Sequence, residues 1–324
     1  MKTSLWNRVS RLFGLLLQVC AFMFLGVVLF RNLDRLRSIL QLRTDLWALL
    51  AGLTLMSIAL IVMLVLGWRA LLRGAGATAA SFRNVFWVIG RTAVAKYVPG
   101  NVFQYVGRQM FTKALGAEQV MTLAATLGEI MIVASVSCLI AVVSLPFAML
   151  PAVPRLTLVP ALGLMALGAC SPVVFWLAGP WLARWRPFYF LQPILNIRAA
   201  AWTQSFLGYG VCLLLGVAIF VAAAAFFLGT LRPGDLATLV AAYAVSYAFG
   251  FMMPGAPGGL GVREALIVLL ASAHLDQSGL VAAAVVQRVC SVFAETLCYG
   301  TTFFTSMSAP VENREAVGPD ATSQ

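Results

Sequence analysis

Long uninterrupted runs of apolar residues fill most of the chain, and the charged residues lie mainly between these runs. Six runs have the length of about 20 residues that a helix needs to cross the hydrocarbon core of a bilayer. They are Leu12 to Phe30, Leu46 to Leu66, Val120 to Leu145, Leu156 to Ala178, Ser205 to Leu228 and Gly279 to Ser308. Continuous hydrophobicity is typical of helices rather than of the alternating strands of a membrane barrel. The pattern therefore predicts an all-α integral membrane protein with six transmembrane helices.

Two further apolar stretches, residues 82–116 and 236–273, are interrupted by proline and glycine. The first is broken at residues 99–101 (Pro-Gly-Asn) and the second at residues 254–259 (Pro-Gly-Ala-Pro-Gly-Gly). Proline removes a backbone donor and clashes with the preceding helical turn, while glycine lets the chain reverse. Each stretch is therefore predicted to be a hairpin of two helices, and its arms either re-enter the membrane or span it. We call them the first and the second hairpin.

The two hairpins share a local pattern. In each, a Pro-Gly pair is followed by seven residues and an arginine, from Pro99 to Arg108 and from Pro254 to Arg263. An alanine-rich predicted span that carries polar side chains follows each hairpin. Because three predicted spans separate the hairpins, we expect them to face opposite sides of the membrane. The sequence thus predicts a diverged inverted repeat, the arrangement from which many secondary transporters are built.

Composition excludes a soluble globular domain, since 61% of the residues are hydrophobic and only 10% are charged. All six cysteines fall inside apolar runs, which favours small apolar helix residues over disulfides or metal ligands. The formal charge of +11 is spread over segments that flank the predicted spans. It indicates orientation and contact with anionic lipid, and no nucleic-acid partner is expected.

The distribution of basic residues predicts an orientation. With the N-terminus in the cytoplasm, 14 Lys and Arg residues lie on that side and seven on the other. This bias favours a multi-pass protein of the bacterial cytoplasmic (inner) membrane with both termini inside. Residues 1–310 would form one membrane domain, and the polar segment 311–324 is predicted to be disordered.

Three charged residues, Glu129, Arg288 and Glu295, lie inside predicted spans, where an isolated charge costs about 3 kcal/mol on insertion scales. Arg288 and Glu295 are seven residues apart and so share one helix face. Glu129 occupies the equivalent part of the other repeat, and we therefore expect a Glu129–Arg288 ion pair. Two roles stay open for the three residues: a polar clamp that fixes helix register, or a part in substrate binding or proton coupling.

Arg108 and Arg263 each lie about two turns beyond a predicted helix start, whose free N–H groups and dipole attract anions. Guanidinium binds phosphate in a bidentate manner and stays charged when buried, so we expect a headgroup phosphate between the two breaks. Glu264, next to Arg263, would offset part of that charge. The predicted binding set is Arg108, Arg263, Asn101, Gly100, Gly258 and Gly259, with Pro99, Pro254 and Pro257 at the breaks.

Two motifs carry a resemblance to a known family. Residues 95–102 (Ala-Lys-Tyr-Val-Pro-Gly-Asn-Val) with residues 106–108 (Val-Gly-Arg), and residues 257–265 (Pro-Gly-Gly-Leu-Gly-Val-Arg-Glu-Ala), resemble the flippase-like transmembrane region of lysylphosphatidylglycerol synthases. The resemblance covers most of the chain. It implies a membrane domain that moves a phosphate-bearing lipid between leaflets. Because only a short tail follows the last predicted span, we expect a stand-alone member without the aminoacyl-transferase domain of the bifunctional synthases.

The function favoured by the sequence is a flippase or transporter for a lipid with an anionic headgroup, with proteins of lipid biosynthesis as expected partners. No cluster typical of catalysis, metal binding or cofactor binding is apparent, so neither enzyme activity nor a cofactor is expected. Two alternatives stay open: a membrane-embedded lipid-phosphate transferase, and a non-transporting lipid-binding scaffold subunit.

Overall fold

The computed structural model describes residues 45–97, 103–149, 163–182, 184, 192–252, 257–259 and 261–305. Their regular secondary structure is helical, with no strand among these residues, which confirms the predicted all-α class. The α-helices that carry the argument are α1 Asp45–Gly74, α2 Phe82–Ala93, α3 Phe103–Met110, α4 Gln119–Ser144, α5 Ser171–Leu182, α6 Gln192–Leu195, α7 Ala199–Leu228, α8 Pro233–Met252, α9 Val262–Ala271 and α10 Gln277–Phe304. Short 3-10 turns lie at Val94–Tyr97, Lys113–Leu115, Leu145–Phe147 and Pro257–Gly259.

Five helical segments of the described chain are long and apolar enough to cross a membrane. They are Asp45–Gly74, Gln119–Phe147, Ala199–Leu228, Pro233–Phe251 and Gln277–Phe304. Four of them coincide with predicted spans, and the fifth is the long arm of the second hairpin. The predicted span at residues 12–30 and the tail at 311–324 lie outside the described residues, as does the first part of the predicted span at 156–178.

Helices α1 and α7 pack along each other in opposite directions. Gly74 at the end of α1 lies against Ala201 at the start of α7, while Leu53 near the start of α1 shares a buried cluster with Phe220. Their backbones are close in between, since a Cβ at Gly208 would lie 3.2 Å from the Cα of its neighbour on α1. Small residues permit this approach, and van der Waals packing of this kind is a main source of helix association in membranes. The packed helices α1 and α7 form the scaffold beside which the two hairpins lie.

The first hairpin is made of α2, the 3-10 turn Val94–Tyr97 and α3. The Ser81 hydroxyl caps the start of α2 by accepting the Asn84 N–H at 3.2 Å. The Asn84 side chain donates to the carbonyl of Ala114 just beyond α3, at 3.3 Å. The two outer ends of the hairpin therefore lie together, and its arms are too short to be candidate spans. Whether these arms re-enter the membrane or span it, the alternatives left by the sequence, stays a prediction.

The second hairpin is made of α8, the 3-10 turn Pro257–Gly259 and α9, and it is asymmetric. Its first arm has 20 residues and its second has ten. Its first arm begins five residues after the end of α7. Leu228 at the end of α7 packs against Gly279 near the start of α10, the helix that follows the second arm. Both outer ends of the second hairpin therefore lie near the end of α7. The first hairpin follows α1 and so begins near the opposite end of α7. Between them, Gly258 of the second break lies against Lys96 and Tyr97 of the first hairpin.

Candidate functional site

A cavity of about 100 Å³ lies between Lys96 of the first hairpin, the two arms of the second hairpin and α10, and we call it the central cavity. Five ionisable side chains line it: Lys96 from the first hairpin, Arg263 and Glu264 from α9, and Arg288 and Glu295 from α10. Neutral polar side chains also line it, namely Tyr243, Ser246, Tyr247, Gln287 and Ser291, and the remaining lining residues are the apolar Leu60, Ile219, Ile267 and Ala284. Three cations face two carboxylates, so the ionisable lining has a formal excess of one positive charge.

One face of α10 supplies almost half of this polar lining. Residues 287, 288, 291 and 295 are spaced so that they fall on one side of a helix with 3.6 residues per turn. The predicted common face of Arg288 and Glu295 is therefore confirmed, because both line the cavity.

Lys96 forms an ion pair with Glu295, and this pair ties the first hairpin to α10. The Tyr97 hydroxyl donates to the other carboxylate oxygen of Glu295 at 3.0 Å. The two ionic side chains are largely buried, with 24% and 11% of their surface exposed. Both oxygens of Glu295 are thus occupied by groups of the first hairpin, and its negative charge is compensated.

Arg288 forms the second ion pair of the cavity, with Glu264. The Nη2 of Arg288 lies 3.1 Å from Oε1 of Glu264, and it also donates to the Gly258 carbonyl at 3.2 Å. The second oxygen of Glu264 accepts the Gly261 N–H at 2.7 Å and so caps the start of α9. Glu264 therefore compensates Arg288, and it forms no ion pair with its sequence neighbour Arg263.

Arg263 is the cation of the cavity that has no carboxylate partner within the described part of the chain. Its guanidinium lies over the ring of Tyr247, 4.0 Å from the ring centre, in a cation–π contact. Its buried Nε has no hydrogen-bond partner among the described residues. Arg108 shares the unpartnered Nε, so Arg263 is distinguished by its position at the cavity without a carboxylate, where its charge can bind an anion.

Two glycines make the space that the Arg263 side chain occupies. A Cβ at Gly250 would lie 2.6 Å from Cγ of Arg263, and a Cβ at Gly259 would lie 2.7 Å from its Nε. Gly259 also has φ +73°, a conformation that residues with a side chain rarely adopt. Gly250 of the first arm and Gly259 of the break therefore leave room for the Arg263 side chain between the arms of the second hairpin.

Arg108, the matching arginine of the first hairpin, has a different environment. It forms an ion pair with Glu129 of α4, and both side chains are 5% exposed. Its guanidinium also lies 4.8 Å from the ring centre of Trp68 and 5.5 Å from that of Tyr105. Arg108 is absent from the lining of the central cavity. We call Arg108 and Glu129 the buried pair.

The expected ion pair between Glu129 and Arg288 is wrong. Glu129 is bound to Arg108, and Arg288 is bound to Glu264. The physical reason is proximity. The first hairpin places Arg108 beside Glu129 of the helix that follows it, and the second hairpin places Glu264 beside Arg288 of the helix that follows it. A long-range pair between α4 and α10 would leave Arg108 and Glu264 without these partners.

The other predicted site residues divide into two groups. Pro99, Gly100, Asn101 and Pro254 lie outside the described residues. Gly258 and Gly259 form the break beside the cavity with Pro257, which begins the 3-10 turn.

Sequence reasoning missed Lys96 and Tyr247 as members of the site. A lysine placed three residues before Pro99 was the available signal for Lys96. Tyr247 had no such signal, because its role depends on the fold of α9 against α8. Among the described residues, no group of three or more His, Cys, Asp or Glu side chains could hold a metal ion.

No protein-family model, no curated protein and no solved structure matches the chain.

Proposed function

We propose that the protein binds a lipid with an anionic headgroup in the central cavity and moves it between the two leaflets. The headgroup phosphate would contact Arg263, while the acyl chains stay in the surrounding bilayer. The single observation that carries this proposal is the Arg263 guanidinium, which lines the cavity without a carboxylate partner among the described residues.

The energetic cost of Arg263 supports a ligand. An ionised side chain within a membrane protein is expensive unless it faces a partner, water or a substrate pathway. The other two cations of the cavity have carboxylate partners, and Arg263 has an aromatic ring. A phosphate would supply the missing negative charge and two oxygens suited to a guanidinium.

The arrangement of the hairpins supports movement of the ligand. The hairpins begin near opposite ends of α7 and meet at the cavity, so sliding either hairpin would open a different side of the same site. Alternating access of this type is common in transporters with inverted repeats. The ion pairs Lys96–Glu295 and Arg288–Glu264 join the moving parts and would break or exchange during the cycle. The resemblance to the flippase-like region of lysylphosphatidylglycerol synthases agrees with this mechanism.

Within this proposal, Arg108 is a positioning residue. Its ion pair with Glu129 holds α3 against α4 and so fixes the return arm of the first hairpin. The headgroup would therefore contact one hairpin arginine directly and depend on the other through the fold.

Transport in liposomes tests the proposal. The full chain is reconstituted with a headgroup-labelled anionic phospholipid, and an added reagent quenches label that reaches the outer leaflet. We expect wild type to expose inner-leaflet label, and Arg263→Ala to slow this by roughly tenfold or more, since hydrogen bonds to charged groups contribute about 1.5–3 kcal/mol. Arg73→Ala, an exposed arginine at the end of α1, is the matched control and should transport normally.

Three results would count against the proposal. Unchanged transport by Arg263→Ala would remove the arginine from the mechanism. A chemically altered lipid, detected by mass spectrometry, would favour a transferase. Lipid that is retained but not transported by the wild type would favour a lipid-binding scaffold.

A further inference from the structure

We infer that the central cavity selects a lipid whose headgroup is a phosphodiester with one negative charge and an uncharged, hydroxyl-bearing remainder. This inference rests on the proposed function, because it names the substrate class of the same site. It follows from the ion pairs that the charged groups of the cavity form and from the hydrogen bonds that its neutral polar groups donate within the protein.

The charge of the cavity leaves room for one anion. Glu295 is compensated by Lys96, and Glu264 by Arg288. Arg263 is the remaining charge, so a monoanion brings the lining to formal neutrality. A phosphomonoester, which carries close to two charges at neutral pH, would leave an excess negative charge in a poorly solvated site.

A zwitterionic headgroup fits less well for a related reason. Its ammonium group would need a carboxylate, and both carboxylates of the cavity already have cationic partners. Binding it would require Glu295 to release Lys96 or Glu264 to release Arg288. Removing one partner from a largely buried ion pair is costly, because the other charge stays behind.

The neutral groups indicate what surrounds the phosphate. The Ser246 hydroxyl donates to the Tyr243 carbonyl at 2.8 Å, and the Ser291 hydroxyl donates to the Gln287 carbonyl at 2.9 Å. The Gln287 amide N–H donates to the Gly216 carbonyl at 3.3 Å. Both serine hydroxyl donors and one N–H of Gln287 are therefore used within the protein, while the oxygens of the same groups can still accept. Acceptors of this kind suit hydroxyl groups of a small polyol.

Competition among lipids tests the inference in the wild-type chain. Liposomes carry labelled phosphatidylglycerol, and unlabelled phosphatidylglycerol, phosphatidate or phosphatidylethanolamine competes for transport. Native mass spectrometry of the detergent-purified chain with the same three lipids measures binding without transport. We expect phosphatidylglycerol to compete and bind at least tenfold better than the other two.

Charge variants sharpen the test because they predict a direction. Glu264→Gln raises the formal charge of the lining by one and should shift preference towards phosphatidate. Lys96→Met lowers it by one, frees Glu295 and should shift preference towards phosphatidylethanolamine. Glu118→Gln and Lys113→Met make the same charge changes at exposed positions outside the cavity and should leave the preference unchanged.

The outcomes separate this inference from the proposed function. Transport that needs Arg263 but treats the three lipids alike would overturn the inference and leave the function standing. Selective binding of phosphatidylglycerol without transport would support the inference and overturn the function. Absence of both selective binding and transport would overturn both.

Discussion

The arginines of the two hairpins stand at the same distance from a Pro-Gly pair, and the protein uses them differently. Arg108 is enclosed by an ion pair and two aromatic rings, whereas Arg263 lies on one ring beside a cavity. The difference comes from the neighbouring span: α4 offers a glutamate to Arg108, while α10 offers an arginine that takes the glutamate next to Arg263. One arginine therefore stabilises the fold, and the other stays available to a ligand.

The buried pair gives the largest expected effect on stability. Glu129→Gln leaves the Arg108 charge buried without a carboxylate, and we expect a loss of about 3–5 kcal/mol in the free energy of unfolding. The equivalent change at Glu264 should cost clearly less, because the side chains of that pair are 29% and 14% exposed and the remaining Arg288 charge is better solvated. Thermal unfolding of the purified variants in detergent measures the contrast. Equal losses would contradict the distinction between the two arginines, whereas partial recovery in an Arg108→Met, Glu129→Leu double variant would strengthen it.

The sequence allowed some of these features to be predicted and left others out of reach. Four span positions followed from continuous hydrophobicity, and the common face of Arg288 and Glu295 followed from helical spacing. Ion-pair partners from different helices could not be predicted in the same way, because the sequence does not show whether Glu129 pairs with Arg108 or with Arg288. The choice depended on α3 lying beside α4, which local patterns do not encode. Lys96 was missed because a lysine in a short, interrupted arm is equally compatible with a solvent-facing position.

The space that Gly250 and Gly259 leave for the Arg263 side chain gives the next largest effect, which is on ligand binding. Gly250→Ala places a methyl group where the Arg263 side chain lies, so we expect the guanidinium to shift and lipid binding to fall several-fold. Alanine is favoured over glycine inside a helix by about 1 kcal/mol, so lost helix propensity would not explain the effect. Gly300→Ala is the matched control, because a Cβ there meets no other atom within 4 Å. Lipid retained through purification is the readout, and equal retention by both variants would argue against a fixed Arg263.

Tyr97 gives the smallest expected effect. Tyr97→Phe removes one hydrogen bond to Glu295 but leaves the Lys96 ion pair, so we expect a loss of about 1 kcal/mol in the free energy of unfolding. Lipid preference should not change, since no charge is altered. A change in preference would mean that the hydroxyl itself contacts the headgroup.

The most direct test of the account compares Arg108→Ala with Arg263→Ala in two measurements on the same preparations. Phospholipid retained through purification is determined by mass spectrometry, and the unfolding midpoint is determined by heating. We predict that Arg263→Ala loses bound lipid while its midpoint stays near wild type, and that Arg108→Ala has a clearly lowered midpoint. Retention of lipid by Arg263→Ala, or loss of lipid by Arg108→Ala at an unchanged midpoint, would contradict the separation of a ligand-binding arginine from a structural one.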